Sequence, residues 1–152
     1  MFFETSKTVC RTVACWIALT AFSGCGGSAA PRGGSAGPPR VVATTTVIAD
    51  LVRGVAGDRV TVDCLMAAGV DPHSYKSTPR DADRLSRADL VVASGLHLEG
   101  KLAELLERLG ERVPVVAVAD QLPKDRLLPI GGGLYDPHVW FDAELWSLCP
   151  AV

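Results

Sequence analysis

Val41-Val42-Ala43-Thr44-Thr45-Thr46-Val47-Ile48-Ala49-Asp50-Leu51-Val52 is the stretch that decides the fold. Its first part, Val41 to Thr45, is a short β-branched run of strand length. From Val47 to Val55 the apolar residues recur at helical spacing instead, and Gly57-Asp58 closes that helix. The alternation then repeats. Val60 to Leu65 reads as a second strand, Pro79 to Arg87 as a polar helix, Leu90 to Ala93 as a third strand bounded by Ser94-Gly95, and Val113 to Val118 as a fourth. Between the last two, Leu98, Leu102, Leu105, Leu106 and Leu109 fall at helical spacing, so Glu99 to Leu109 is an amphipathic helix with its charges on a solvated outer face. Strands alternating with helices at this pitch predict right-handed βαβ units and an α/β fold with a four-stranded parallel sheet flanked by helices.

Working outward, the N-terminus has a different character. Lys7 and Arg11 precede the apolar run Val13 to Phe22, which is too short to span a bilayer and fits the core of a signal peptide. Phe22-Ser23-Gly24-Cys25 resembles a bacterial lipobox, with Phe22 where Leu is commonest, and makes Cys25 the expected lipid anchor. Residues 26–40 are a Gly/Ser/Pro linker that cannot bury a core and reads as a tether. The expected organisation is therefore a signal peptide over 1–25, a linker over 26–40, an α/β lobe over 41–147 and an atypical end over 148–152. The product is exported and lies in the periplasm or on the cell surface.

Composition narrows the partners. With 48% hydrophobic and 21% charged residues the chain can bury one ordinary core, and a net charge of -2 with pI near 5.9 leaves no basic stripe for nucleic acid. Of five cysteines, Cys10, Cys15 and Cys25 belong to the leader region and no Cys-x-x-Cys occurs, so Cys64 and Cys149 are the thiols of the main body. Their spacing neither requires nor excludes a disulfide.

The chemistry-bearing signal is a repeat. Asp71-Pro72-His73 returns as Asp136-Pro137-His138, and only three histidines exist. At this composition a given histidine follows Asp-Pro by chance about once in 200, so two of three is not coincidence. Each triplet reads as a helix start, with Asp as N-cap, Pro at the first helical position and His in the first turn. The alternative is a pair of Pro-capped helix starts with incidental surface histidines. As metal ligands, His73 and His138 would have their tautomers fixed by Asp71 and Asp136 accepting the other imidazole N–H. His73 follows the second strand and His138 the fourth, so both lie beyond carboxyl ends of strands, where open α/β sheets form their binding crevice. His97, just after the third strand, lines the same cleft or is a helix-start or packing residue. Gly131-Gly132-Gly133 reads as a flexible turn, and no phosphate loop, Gly-x-Gly-x-x-Gly, His-Glu-x-x-His or nucleophile elbow is present.

Taken together, Thr44 to Leu51, Gly69 to Tyr75, Ser94 to Glu99 and Tyr135 to Asp142 resemble the metal-binding lipoproteins that serve as substrate-binding components of bacterial zinc and manganese ABC importers, a family that includes so-called adhesins. The resemblance runs from about Val41 to Trp146. It implies two α/β lobes joined by a long helix with a Zn or Mn ion held between them. His73 and His138 are then ligands and His97 is not, the remaining ligands come from the second lobe, and a membrane permease receives the ion. Where that family continues its helix, this sequence reads Leu145 to Val152 with Pro150 as a stop, so the resemblance implies a truncated form with a weakened half-site and an apolar face open to self-association. The absence of histidine from residues 121–135 favours the manganese branch over the zinc branch. Such a protein captures an ion and performs no reaction. The competing readings are a metal-dependent hydrolase using His73, His138 and Asp142 or Glu99, and a surface adhesion module.

Overall fold

The computed structural model describes residues 37–149. The expected signal segment and Cys25 anchor, most of the expected linker and residues 150–152 lie outside the described residues.

The first strand and helix form as their sequence dictates. β1 (Arg40–Ala43) runs into Thr44-Thr45, and the Thr45 hydroxyl caps α1 (Thr46–Ala56) by accepting from Ile48 N at 3.3 Å. β2 (Thr61–Cys64) follows. α2 (Pro79–Ser86) opens with Pro79 at its first position and a reciprocal capping box between Thr78 and Asp81. β3 (Leu90–Ala93), α3 (Ala103–Gly110) and β4 (Val115–Ala117) complete an all-parallel sheet of order β2-β1-β3-β4. Because successive strand residues face opposite sides, β1 divides between two cores. Val41 and Ala43 join Ile48, Leu122, Leu127, Val139 and Leu145 on one face; Val42 joins Leu85, Leu102, Leu106 and Val113 on the other. This two-sided burial is why the central strands are continuously apolar.

Several boundaries differ from the sequence reading. Arg40, assigned to the linker, is the first residue of β1, held by its N–H to Asp89 Oδ2 at 2.8 Å. The fourth strand covers only Val115–Ala117, since Val118 to Gln121 turns into a 3-10 helix. Glu99 is not on a solvated face: it is buried, and the helix proper starts at Ala103 after a 3-10 turn over Gly100–Leu102. Unforeseen were β5 (Pro129–Gly131) and β6 (Leu134–Tyr135), an antiparallel hairpin whose turn uses Gly131, Gly132 and Gly133 at positive φ. A last short helix, α4 (Ala143–Trp146), is capped by Asp142. Cys64 and Cys149 are both free thiols. Burial pushes both thiols above the ordinary cysteine range.

The one charged group in the edge strand β2 is fixed by a guanidinium. Arg84 of α2 places Nη2 2.6 Å from Asp63 Oδ1 and Nε 3.3 Å from Oδ2, and Arg40 reaches Oδ2 at 2.6 Å. Arg84 also donates to Cys64 O at 2.7 Å, which ties α2 to the end of β2. The bond from Arg84, reinforced by Arg40, holds the Asp63 carboxyl below the usual carboxylate range against the opposing effect of burial. A folded-state pKa below the unfolded value stabilises the protein above roughly pH 4 and is lost as pH falls through the folded value. Arg84→Met is therefore expected to cost about 1.5–3 kcal/mol at pH 7, the range for hydrogen bonds to charged groups. Urea unfolding should show this gap narrowing near pH 3. A gap independent of pH would assign the loss to packing alone.

Candidate metal centre

The two Asp-Pro-His triplets build the same local structure, and it is not a helix start. Asp71 Oδ1 accepts from His73 N at 3.0 Å, and Asp136 Oδ1 accepts from His138 N at 3.0 Å. Both are Asx turns, in which a short carboxylate bonds its own backbone two residues on and competes with helix formation. The first triplet lies in a turn, and the second leads into a 3-10 helix over Val139–Phe141. The repeat thus presents each imidazole on a stiff turn rather than in a helical first turn.

Tertiary packing brings the turns together. Tyr75 packs on the core and donates to Asp81 Oδ2 at 2.7 Å, which fixes the chain just after His73. Burial and that carboxylate push the Tyr75 hydroxyl up to about 12. On the other side Val139 is buried, and Asp136 N donates to Leu128 O at 2.8 Å. His73 Nε2 and His138 Nε2 end 3.4 Å apart, with ring centroids 5.4 Å apart. Two nitrogens bound at about 2.0–2.1 Å to a tetrahedral zinc ion stand about 3.3–3.4 Å from one another, so the pair already has the bite of a chelate. Among the described residues no group of three or more His, Cys, Asp or Glu forms a metal-holding cluster.

The two aspartates behave differently. Asp136 Oδ1 lies 2.6 Å from His138 Nδ1, which puts the ring proton on Nδ1 and leaves the Nε2 lone pair facing His73. The His138 backbone N–H, with the imidazole, holds the Asp136 carboxyl below its ordinary range. Asp71 instead turns its second oxygen to Ser74 Oγ at 2.7 Å, a bond that with the His73 N–H lowers its pKa too. Its partner is therefore the turn and not the His73 ring. Asp136→Asn is expected to weaken zinc binding by about 10–100-fold, the range for removing the group that orients a ligating histidine; Asp71→Asn should act through the turn and cost less. Equal losses in titrations of the two variants would contradict this difference.

Two further residues shape the site: Glu99, which ends the Ser94 to Glu99 stretch but whose place there the sequence does not show, and Gly100, which carried no motif. The strand order changes direction between β1 and β3, which makes their carboxyl ends the crevice of this sheet. Glu99 fills it, accepting from Thr44 Oγ1 at 2.7 Å, Ser94 N at 2.6 Å and Gly95 N at 3.2 Å. The histidine pair consequently sits on the turns above the crevice. Gly100, at φ +46°, lies directly under the His73 turn: a Cβ there would stand 2.5 Å from the His73 carbonyl oxygen. His97 is exposed at φ 64° on the intervening loop and is not part of the pair. The carboxylates named for a hydrolase are occupied, Glu99 as above and Asp142 as the α4 cap accepting from Leu145 N at 2.9 Å.

The parallel α/β sheet, with an imidazole pair on the turns at its carboxyl edge, has the architecture of one lobe of a bilobed protein. The chain belongs to the family described as zinc-uptake complex component A, periplasmic, whose model matches residues 41–149. It is 46% identical over 130 residues to the manganese-binding lipoprotein MntA of Bacillus subtilis, covering 85% of this chain and 42% of that one. It is 41% identical over 138 residues to the zinc-binding protein TroA of Treponema pallidum, covering 90% of this chain and 45% of that one. The solved structure of periplasmic zinc-binding TroA superimposes with a TM-score of 0.72 at 43% identity over 76% of this chain and 42% of that chain. The chain thus spans less than half the length of these relatives.

Proposed function

We propose that this chain captures a divalent transition-metal ion, Zn(II) or Mn(II), as the substrate-binding component of an ABC importer and presents it to a membrane permease. The observation that carries the reading is the 3.4 Å separation of His73 Nε2 and His138 Nε2, with the His138 tautomer set by Asp136. His73 and His138 supply two donors. A closed zinc site has four, so further ligands or water complete the shell. The family description and the printed names of MntA and TroA support both ions and an uptake role, and no reacting group is assigned. In the same reading residues 1–24 are a cleaved leader, Cys25 becomes the lipid-carrying N-terminus, and the chain up to β1 tethers the lobe to the outer side of a membrane, as the lipoprotein name of MntA supports.

Titration of the full chain with Zn(II) and with Mn(II) tests the capture. Saturation at one ion per chain is expected, with an affinity below that of a site with four protein ligands. Failure to bind either ion at millimolar concentration would overturn the reading. Mass spectrometry of the membrane fraction should find an acylated N-terminal Cys25, and Cys25→Ala should release the protein from that fraction.

A further inference from the structure

Trp140 is the large side chain nearest the histidine pair that neither core cluster uses. It is half-buried, and its ring meets His138 edge-on at 5.2 Å between centroids and 67° between planes. It also meets Phe141 at 5.6 Å between ring centroids, and it faces the opposite turn across a cavity. Trp140 shares a cavity of about 120 Å³ with Gly69, Val70 and Pro72, which lead into His73, and with Thr46 and Val47 at the start of α1. In that cavity it is the one residue from the His138 segment. Phe141, the next aromatic along, is 82% exposed and lines no part of it.

We infer that Trp140 is a positioning residue that sets the spacing of the two imidazoles, a wedge held edge-on against the His138 ring and facing the His73 turn across the cavity. An indole suits this task because it is rigid, large and held edge-on by its quadrupole. A fixed 3.4 Å bite suits a small tetrahedral ion; a larger ion needs longer metal–nitrogen bonds and a wider separation for the same angle. The wedge therefore acts on ion preference as well as on affinity. This rests on the pair being the metal site.

The experiment compares the full chain with its Trp140→Ala, Trp140→Phe and Phe141→Ala variants, each titrated with Zn(II) and with the larger Cd(II), with thermal unfolding in parallel. Trp140→Ala is expected to bind Zn(II) about 10-fold or more weakly, as for loss of a group that orients a ligand, with a smaller loss for Cd(II). The midpoint of unfolding should barely move, because Trp140 belongs to neither core. Trp140→Phe should restore much of the zinc affinity, and Phe141→Ala, whose ring stacks on His138 but lines no part of the cavity, should lose less and leave the zinc-to-cadmium ratio unaltered. Unchanged zinc affinity in Trp140→Ala overturns the inference, as do equal losses for both ions accompanied by a fall in the unfolding midpoint. Should Trp140→Ala not fold, Trp140→Phe decides: an unaltered zinc-to-cadmium ratio counts against the wedge, and a narrowed one supports it. His73→Ala in the same series separates the two readings. If it binds zinc normally the metal-pair reading fails, whereas loss there with intact Trp140→Ala binding removes only the wedge.

Discussion

Replacing both His73 and His138 with alanine is expected to abolish Zn(II) and Mn(II) binding while leaving the fold intact. In the proposed site each imidazole nitrogen is a direct donor, and once one is gone the other is a lone surface histidine with no chelate partner at 3.4 Å. Each single variant should lose more than the roughly 10–100-fold that removing an outer partner costs, and the double variant should show no saturable binding. Both side chains are exposed, so unfolding free energies should stay within about 0.5 kcal/mol of the parent. His97→Asn is the matched control: Asn tolerates the left-handed backbone at φ 64°, and the affinity should be unchanged. Calorimetric titration with unfolding curves on the same samples checks all four. If the double variant binds metal as the parent does, the assignment of the pair is wrong.

Gly100→Ala is expected to have the second-largest effect, although the residue is no ligand. A methyl group there would lie 2.5 Å from the His73 carbonyl oxygen, and that oxygen is backbone, so the His73 turn must lift. The left-handed φ of +46° adds about 1–2 kcal/mol of strain for any residue with a Cβ. Gly132→Ala separates the two effects, because Gly132 has φ +62° but open space around it. Gly132→Ala should lose about 1–2 kcal/mol of stability, and Gly100→Ala more, because the displaced His73 turn adds to the same strain. Only Gly100→Ala should also lose zinc affinity, by about 10-fold or more, because only there is a ligand displaced. Equal affinities in the two variants would mean that the contact under His73 does not position it.

The sheet is legible in the sequence because its information is local. Val41 to Ala43 and Leu90 to Ala93 are short apolar runs, Val47 to Val55 carries helical spacing closed by Gly57, and each rule acts within a few residues. The Asp-Pro-His repeat is legible for the same reason, yet its conformation is not. Asp before Pro suits both a helix cap and an Asx turn, and local residue types do not choose between them. Packing of the downstream chain makes the choice. Beyond His73 the backbone must stretch to put Tyr75 into the core and start α2 at Pro79, and beyond His138 it must bury Val139 at once. Glu99 is hidden by the same limit: a glutamate at helical spacing reads as solvated, and its three hydrogen bonds come from residues on two different strand ends.

By itself, then, the sequence determined the α/β alternation, the four parallel strands and the identity of two paired histidines. All of these arise from periodicity, capping and repetition along the chain. Only the tertiary structure decided that His73 Nε2 and His138 Nε2 meet at 3.4 Å, that Asp136 but not Asp71 orients an imidazole, and that Glu99, Gly100 and Trp140 shape the site. The physical reason is distance along the chain. Those contacts join residues separated by an intervening strand, turn or helix, and their geometry is fixed by the order β2-β1-β3-β4 and by close packing over the strand ends, neither of which any local pattern encodes.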